Sequence, residues 1–263
     1  MEKLEFKDII YETKEGIAKI TINRPHAYNA FTTNTLKELA LTFEDADLAP
    51  SVRVVVLTGA GGKAFCTGGD YKEAEQPGGY SRENDYWHSR LHHSMRMISK
   101  PTIAAVNGYA IGGGHILHLI CDISIASENA RFGQAGPRVG SFDGGFGASY
   151  LARAVGEKKA REIWFLCRQY TAQEALEMRL VNKVVPLDKL EEEVNEWCRE
   201  IIALSPYALK FLKKAFNADT DHQWGFEEMS MSAVRLFWAT EEAEEAKRAF
   251  GEKRQPDFSK FSR

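Results

Sequence analysis

Cysteine is scarce in this chain of 263 residues: Cys66, Cys121, Cys167 and Cys198 stand far apart and form no CxxC pair. That spacing argues against a disulfide framework or a zinc knuckle and fits a reducing, cytoplasmic setting. An excess of one charge is also missing, since 34 Lys and Arg face 37 Asp and Glu for a net charge of −3. A nucleic-acid binder would carry a basic surplus, so no nucleic-acid partner is expected. No apolar run approaches the roughly 20 residues that span a bilayer, so no membrane partner is expected either. The N-terminal MEKLEFKDII is charged and lacks the apolar stretch of a signal peptide. There is no low-complexity tract and no exact repeat. What is present, 44% hydrophobic and 27% charged residues, is ordinary globular composition. The length suits one large domain or two small ones with a sizeable core.

The first part of the chain reads as strands, turns and helices in alternation. Ile9–Glu12 and Ile17–Ile22 flank a Lys-Glu-Gly turn and predict a hairpin. Leu36–Ala46 has helical spacing, and Val52–Leu57 is a β-branched run typical of a buried strand. Residues 75–86 (EQPGGYSRENDY) are polar and glycine-bearing and predict a surface loop. Pro101–Val106 predicts a second buried strand, His115–Cys121 a helix and Asp122–Ala126 a further strand. Strand, glycine turn, helix, strand is the logic of an α/β fold. From Lys158 helical patterns dominate: 158–168, 172–178, 189–204, 208–216, 226–238 and 241–250. Ser205 before Pro206 reads as a helix cap. The boundary between α/β core and helical remainder falls near residue 200.

Two glycine-rich turns carry the chemical interest: Ala64-Phe65-Cys66-Thr67-Gly68-Gly69-Asp70, and Ile111-Gly112-Gly113-Gly114-His115 directly before a helix. Neither continues into Gly-Lys-Ser/Thr as a P-loop, and neither fits the dinucleotide fingerprint. Glycines let a ligand approach the backbone, and free N–H groups at a helix start favour negative charge. Two such turns together could supply two donors to one developing oxyanion. Alone, each is more simply a tight turn. His88 and His92, or His115 and His118, could share a helix face and hold a metal, but no HExxH or third ligand accompanies them. No metal is expected, and the four read as surface or packed histidines. Cys66 reads as a small packed residue. Lys210, Lys213 and Lys214 could meet phosphates or form an exposed stripe.

The paired turns resemble the two oxyanion segments of the crotonase (enoyl-CoA hydratase/isomerase) superfamily, the second being Asn107-Gly108-Tyr109-Ala110-Ile111-Gly112-Gly113-Gly114. Asn23-Arg24-Pro25 through Asn29-Ala30-Phe31 resembles the N-terminal CoA loop of that family. The resemblance covers essentially the whole chain. It implies a spiral of ββα units over residues 1–200 and a C-terminal helical trimerisation region over 201–263, assembled as a trimer or hexamer. It implies an acyl-CoA thioester as substrate, CoA being part of the substrate rather than a tightly bound cofactor. The backbone N–H groups of Gly69 and Gly113 would hold the thioester oxygen. Thr67, Gly68, Asp70, Tyr71, Tyr109 and Gly112 would flank the substrate, and Tyr28 would stand in the CoA loop.

Hydratases of the family carry two glutamates over the substrate, and those positions are Ile116 and Gly136 here. Neither can move a proton, which argues against simple hydration. The segments Phe132–Gly145, Trp164–Tyr170 and Lys253–Phe261 instead resemble the 1,4-dihydroxy-2-naphthoyl-CoA synthases, which close a ring by an intramolecular Claisen (Dieckmann-type) condensation. The 2-ketocyclohexanecarboxyl-CoA hydrolases, which open a β-keto ring with water, are the near relatives. The resemblance implies a catalytic role for Asp143, a substrate hydrogen bond from Ser141 and a substrate contact from Tyr80. Gln134, Ala135, Gly136 and Trp164 match the pocket in which some synthases hold bicarbonate, and Phe250 and Lys253 match CoA contacts made across a subunit interface. Four positions depart from the synthase pattern: Trp238 replaces a tyrosine, Ala135 replaces a threonine, and Ala74 and Tyr28 replace basic residues. An acyl-CoA-binding relative without turnover is the alternative from another class.

Overall fold

The structure is a computed structural model and describes residues 6–74 and 81–261. The ten strands are β1 (Ile9–Lys14), β2 (Ile17–Ile22), β3 (Val54–Gly59), β4 (Ala64–Cys66), β5 (Thr102–Val106), β6 (Tyr109–Ile111), β7 (Ile123–Ser127), β8 (Arg131–Gly133), β9 (Gln169–Thr171) and β10 (Lys183–Val185). The α-helices of the first half are α1 (Thr33–Leu48), α2 (Tyr71–Ala74), α3 (Arg82–Met97), α4 (Gly113–Ile120) and α5 (Gly136–Val139). Those that follow are α6 (Phe146–Val155), α7 (Glu157–Leu166), α8 (Ala172–Glu177), α9 (Leu190–Ile202), α10 (Pro206–Ala218), α11 (Trp224–Trp238) and α12 (Glu241–Gly251).

Two sheets share the work. The larger runs β1-β2-β3-β5-β7-β10, with only the β1–β2 hairpin antiparallel. The smaller runs β4-β6-β8-β9, parallel except at β8–β9. Successive pairs β3–β4, β5–β6 and β7–β8 each send one strand to the large sheet and the next to the small one, and a helix follows each pair. This is the spiral of ββα units that the resemblance implies. The large sheet is covered on both faces: Val55, Leu57 and Ala104 point into the main core. Val54, Val56 and Ile103 pack beneath Leu190, Val194 and Cys198 of α9. Burial on both faces explains why these strands read as unbroken apolar runs.

Side chains cap several helices where the sequence offers oxygen. Thr32 and Thr35 form a reciprocal capping box on α1, Ser81 caps α3, and Ser205 accepts from the Ala208 amide at the start of α10. Three expectations are corrected. The loop read over 75–86 ends by Ser81, because Arg82–Tyr86 open the 16-residue helix α3; residues 75–80, including Tyr80, lie outside the described residues. The sequence RENDYWHSRLHHSMRM carries too few apolar residues to show an apolar stripe, and its buried face is made largely of Asn84, His92, Ser94 and Arg96. The region after 158 also holds two three-residue strands, β9 and β10, too short to leave a period-2 pattern. Lys213 is not on an exposed stripe: it is buried and donates to Asp122 at 2.7 Å and to the Lys100 carbonyl. Among the described residues, no helix is long and apolar enough to cross a membrane.

Two buried asparagines set the turn between β3 and β4. Asn29 donates to the carbonyls of Ala60 (2.9 Å) and Ala64 (2.7 Å) and accepts from the Arg24 amide; Asn107 donates to Gly59 (2.7 Å) and Gly61 (3.0 Å). Asn29 does so with a left-handed φ of 55°, a conformation that asparagine tolerates. Asn29→Ala leaves three backbone groups without partners, and a loss of about 2–3 kcal/mol is expected in urea unfolding.

Candidate active site

The two glycine turns are held in backbone contact. Phe31 donates to the Gly68 carbonyl and accepts from the Asp70 amide, both at 2.8 Å, so the turn lies along Phe31 as a parallel bridge. That pairing directs the Gly69 N–H to the opposite side. Gly113 is the first residue of α4, where the N–H has no partner within the helix. Among the described residues neither amide donates to a protein acceptor. A Cβ on Gly68 would sit 3.0 Å from the Gly113 nitrogen, and one on Gly114 only 1.9 Å from the Cys66 carbonyl oxygen. The approach requires glycine, and it brings the turn that carries the Gly69 amide against the start of α4, where the Gly113 amide is free.

Asp143 lies in the stretch between α5 and α6. Its Oδ1 accepts from the amides of Gly145 (2.8 Å) and Gly147 (3.0 Å), while its buried Oδ2 has no partner. A Cβ on Gly147 would lie 2.8 Å from Asp143 Cγ and 2.9 Å from Ile116 Cδ1, so the carboxylate stands beside Ile116, one turn into α4 from Gly113. Burial, with repulsion from Glu227, pushes the Asp143 carboxyl up to about 6, against the pull of His92 and the two amides. Gly136 has no room for a side chain, because its Cβ would lie 2.6 Å from the Ser141 carbonyl oxygen.

Residues 12–261 match the sequence model of the enoyl-CoA hydratase/isomerase family. The chain belongs to that family. Among solved structures it is similar to an enoyl-CoA hydratase from Mycobacterium avium subsp. paratuberculosis K-10, at 29% identity and a TM-score of 0.87, covering 97% of this chain and 99% of that one. It is also similar to a carnitinyl-CoA hydratase from Mycobacterium avium, at 33% identity and TM-score 0.83 over 95% and 97% of the two chains. An enoyl-CoA hydratase from Bacillus anthracis matches at 32% identity and TM-score 0.78 over 95% and 98%.

In this family member the CoA-loop segment is locked to the first glycine turn. Arg24 pairs with Asp70 at 2.8 Å and donates to the Ala30 carbonyl, and Thr67 donates to the Tyr28 carbonyl at 3.2 Å. Asp70, expected to flank the substrate, is therefore committed to Arg24 and to the Lys72 amide. Tyr28, half exposed with a left-handed φ of 52°, lies with its ring 6.4 Å from that of Tyr109. Tyr71 donates to the Lys247 carbonyl, and its ring lies 5.0 Å from Phe250 of the same chain. Phe250, expected to make a CoA contact across an interface, is half exposed beside Tyr71, with Lys253 just past the end of α12 at φ 55°. Trp238 ends α11 under Lys247, whose Nζ is 4.3 Å from the ring centroid; the neighbouring Phe237 packs against Phe142.

The bicarbonate positions fit the anion poorly. The Trp164 N–H is spent on the Gly147 carbonyl at 3.0 Å, Ala135 has no hydroxyl, and Gly136 has no side chain. Of these four side chains only Gln134, buried with both amide atoms unpartnered, offers a donor.

Cys66 is buried and its thiol is pushed up to about 12, so it is inert at neutral pH. His115 and His118 pack together against Phe132, with His118 on Ser124. His88 and His92 are not surface residues: they lie inside, with His92 Nδ1 2.6 Å from Glu227 Oε1. Glu227 escaped the sequence reading. Its one trace was an acid among apolar residues of α11, which also fits an exposed position.

The raised Asp143 carboxyl carries a stability consequence. The folded state holds the proton more tightly than the unfolded chain, so ionisation costs stability as pH rises from about 4 through about 6. Asp143→Asn keeps the acceptor oxygen and removes the charge. It should stabilise the fold at pH 7.5 by about 1–3 kcal/mol, a gain that vanishes near pH 4, as read from urea midpoints at both pH values.

Proposed function

We propose that this protein is an acyl-CoA enzyme that stabilises a thioester enolate and makes or breaks a carbon–carbon bond within the acyl group. Ring closure of the naphthoyl-CoA synthase type is the first reading. The observation that carries it is Asp143, a buried carboxylate with one free oxygen, together with an apolar Ile116 beside it and a Gly136 that admits no side chain. Hydration as the family performs it uses two carboxylates, whereas enolate chemistry needs one proton-transfer group and an oxyanion hole.

The steps follow from that arrangement. The thioester oxygen sits between the Gly69 and Gly113 amides, which lowers the energy of the enolate. In ring closure the α-proton passes to the Asp143 carboxylate, the α-carbon attacks a carboxyl carbon of the same acyl group, and that carbon, with the proton returned to its departing oxygen, expels water. That reaction is intramolecular, so binding needs only to select the conformer that brings the two carbons together. Asp143, with its carboxyl held near 6, can exchange a proton at neutral pH. A second reading, ring-opening hydrolysis, is favoured by Trp238. Its indole N–H only donates and cannot take the proton-exchanging part of the tyrosine that synthases carry there. In that direction water adds to a β-keto carbonyl, the Cα–Cβ bond breaks toward the thioester, and Asp143 protonates the α-carbon.

Asp143→Asn is expected to lower kcat about 10²–10⁴-fold on the true substrate, with CoA-ester binding little changed. Full activity of that variant, across β-ketoacyl- and aryl-CoA esters, overturns the role of Asp143. Tight binding of these esters with no product from any of them overturns the enzyme reading in favour of a binding protein. The oxyanion test needs care, because any Cβ on Gly113 would lie 2.6 Å from the Phe31 ring. Gly113→Pro should therefore be compared in a Phe31→Ala background, where a loss of about 10²–10³ is expected.

The apolar residues that α10 leaves exposed, among them Tyr207, Phe211 and Phe216 at 64–76%, favour self-association. A trimer or hexamer is expected in sedimentation at micromolar concentration, and a monomer overturns that expectation.

A further inference from the structure

Between α11, α3 and the Asp143 turn lies a buried cluster of ionisable groups, of which the proposed chemistry uses only Asp143. Glu227, His92 and Asp143 are each at most 6% exposed. Glu227 Oε1 meets His92 Nδ1 at 2.6 Å, and Glu227 Oε2 accepts from the Phe146 amide at 2.7 Å. One turn further along α11, Ser230 Oγ accepts from the Gly144 amide at 2.7 Å. Asp143 takes the amides of Gly145 and Gly147. Four successive backbone donors, 144 to 147, are thus shared between α11 and Asp143, and one Asp143 oxygen is left over. The approach depends on Gly145, where a Cβ would lie 2.1 Å from Glu227 Oε2.

We propose that Glu227 and His92 are positioning residues for Asp143: α11 fastens the turn by its amides, and the buried Glu227–His92 ion pair sets the charge on the free Asp143 oxygen. This rests on the reading of Asp143 as the proton-transfer group. A latch alone would need only neutral acceptors such as Ser230. A buried carboxylate paired with a histidine places both a negative and a positive charge close to Asp143, and removing either alone changes its electrostatic surroundings.

The groups facing Asp143 come from few elements. From α11 they are Glu227 and the hydroxyl of Ser230. From α3 they are His92 and, behind it, His88, whose ring lies 4.6 Å away. α4 contributes Ile116 and no charge. α6 contributes Tyr150, whose hydroxyl accepts from Arg96 of α3. The remaining charges of these helices lie outward, as in the Arg235–Asp85 pair. Burial opposes charge on His92, but the Glu227 carboxylate overrides it and holds the imidazole above its ordinary range. His88 has no such partner, and burial pushes it down to about 3. Of the two histidines, His92 is therefore the one whose positive charge the cluster favours.

The test needs no substrate. In full-length protein with 13C-carboxyl-labelled aspartate, the carboxylic-acid infrared band that Asp143→Asn removes reports the ionisation of Asp143. His92→Asn strips the counter-charge from two buried carboxylates, so the Asp143 midpoint should rise by about one pH unit. Glu227→Gln keeps an acceptor for the Phe146 amide and removes the stronger, repulsive charge, so the midpoint should fall. A latch without an electrostatic role would leave both midpoints where they are, and that result overturns the proposal. If either variant does not fold, wild-type His92 decides: an imidazolium persisting above about pH 7 supports the ion pair, and a neutral ring there overturns it. The midpoints are read whether or not Asp143 takes part in turnover. Shifted midpoints with a fully active Asp143→Asn would therefore strike the proposed function and leave the pair's effect on Asp143 standing.

Discussion

The contact between two glycine turns is the constraint from which the site follows. Gly114 can lie against the Cys66 carbonyl, and Gly68 against the Gly113 nitrogen, only because no Cβ intervenes. That approach brings the end of β4 and the start of α4 together and leaves two amides unspent at one place. Much of the neighbouring structure holds those backbones still. Phe31 pairs with Gly69, Asn29 and Asn107 grip the 59–64 turn, and Arg24 closes on Asp70. Such fixed donors need no rearrangement when charge develops between them.

Against this rigid backbone frame stands one carboxylate kept in an unfavourable place. Asp143 is buried, near a second carboxylate, and its charge is resisted at neutral pH. The cost is tolerated because backbone amides hold one oxygen and because His92 offsets Glu227. Strained or poorly solvated groups of this kind are what a site needs if a carboxyl is to exchange protons near pH 7. Its nearest apolar neighbour, Ile116, adds to the desolvation and offers no competing proton.

Chemistry within the family is decided by few side chains on a common backbone. At the two positions where the resemblance places a hydratase's glutamates this chain has Ile116 and Gly136, and at 136 the Ser141 carbonyl fills the space a side chain would take. Reinstating a glutamate at 136 would therefore need the 140–143 segment to move.

By itself the sequence determined the α/β alternation, the doubly buried strands such as Val54–Gly59, the glycine turns, the lone Asp143 and the apolar 116 and 136 positions. Each of these leaves a local signature, in periodicity, in glycine clusters or in a residue type at a motif position. It did not reveal α3, whose buried face is polar, nor the three-residue strands β9 and β10, nor Glu227. Only the tertiary structure decided that His92 is an interior residue paired with Glu227, 135 positions away. It also decided that Lys213 is buried on Asp122, that Asp70 is spent on Arg24 and that Trp164 is spent on Gly147. The physical reason is the same in each case. A polar side chain looks alike in sequence whether it faces water or a partner, and its partner is chosen by the packing of elements distant along the chain. Apolar periodicity, by contrast, is written within the element that uses it.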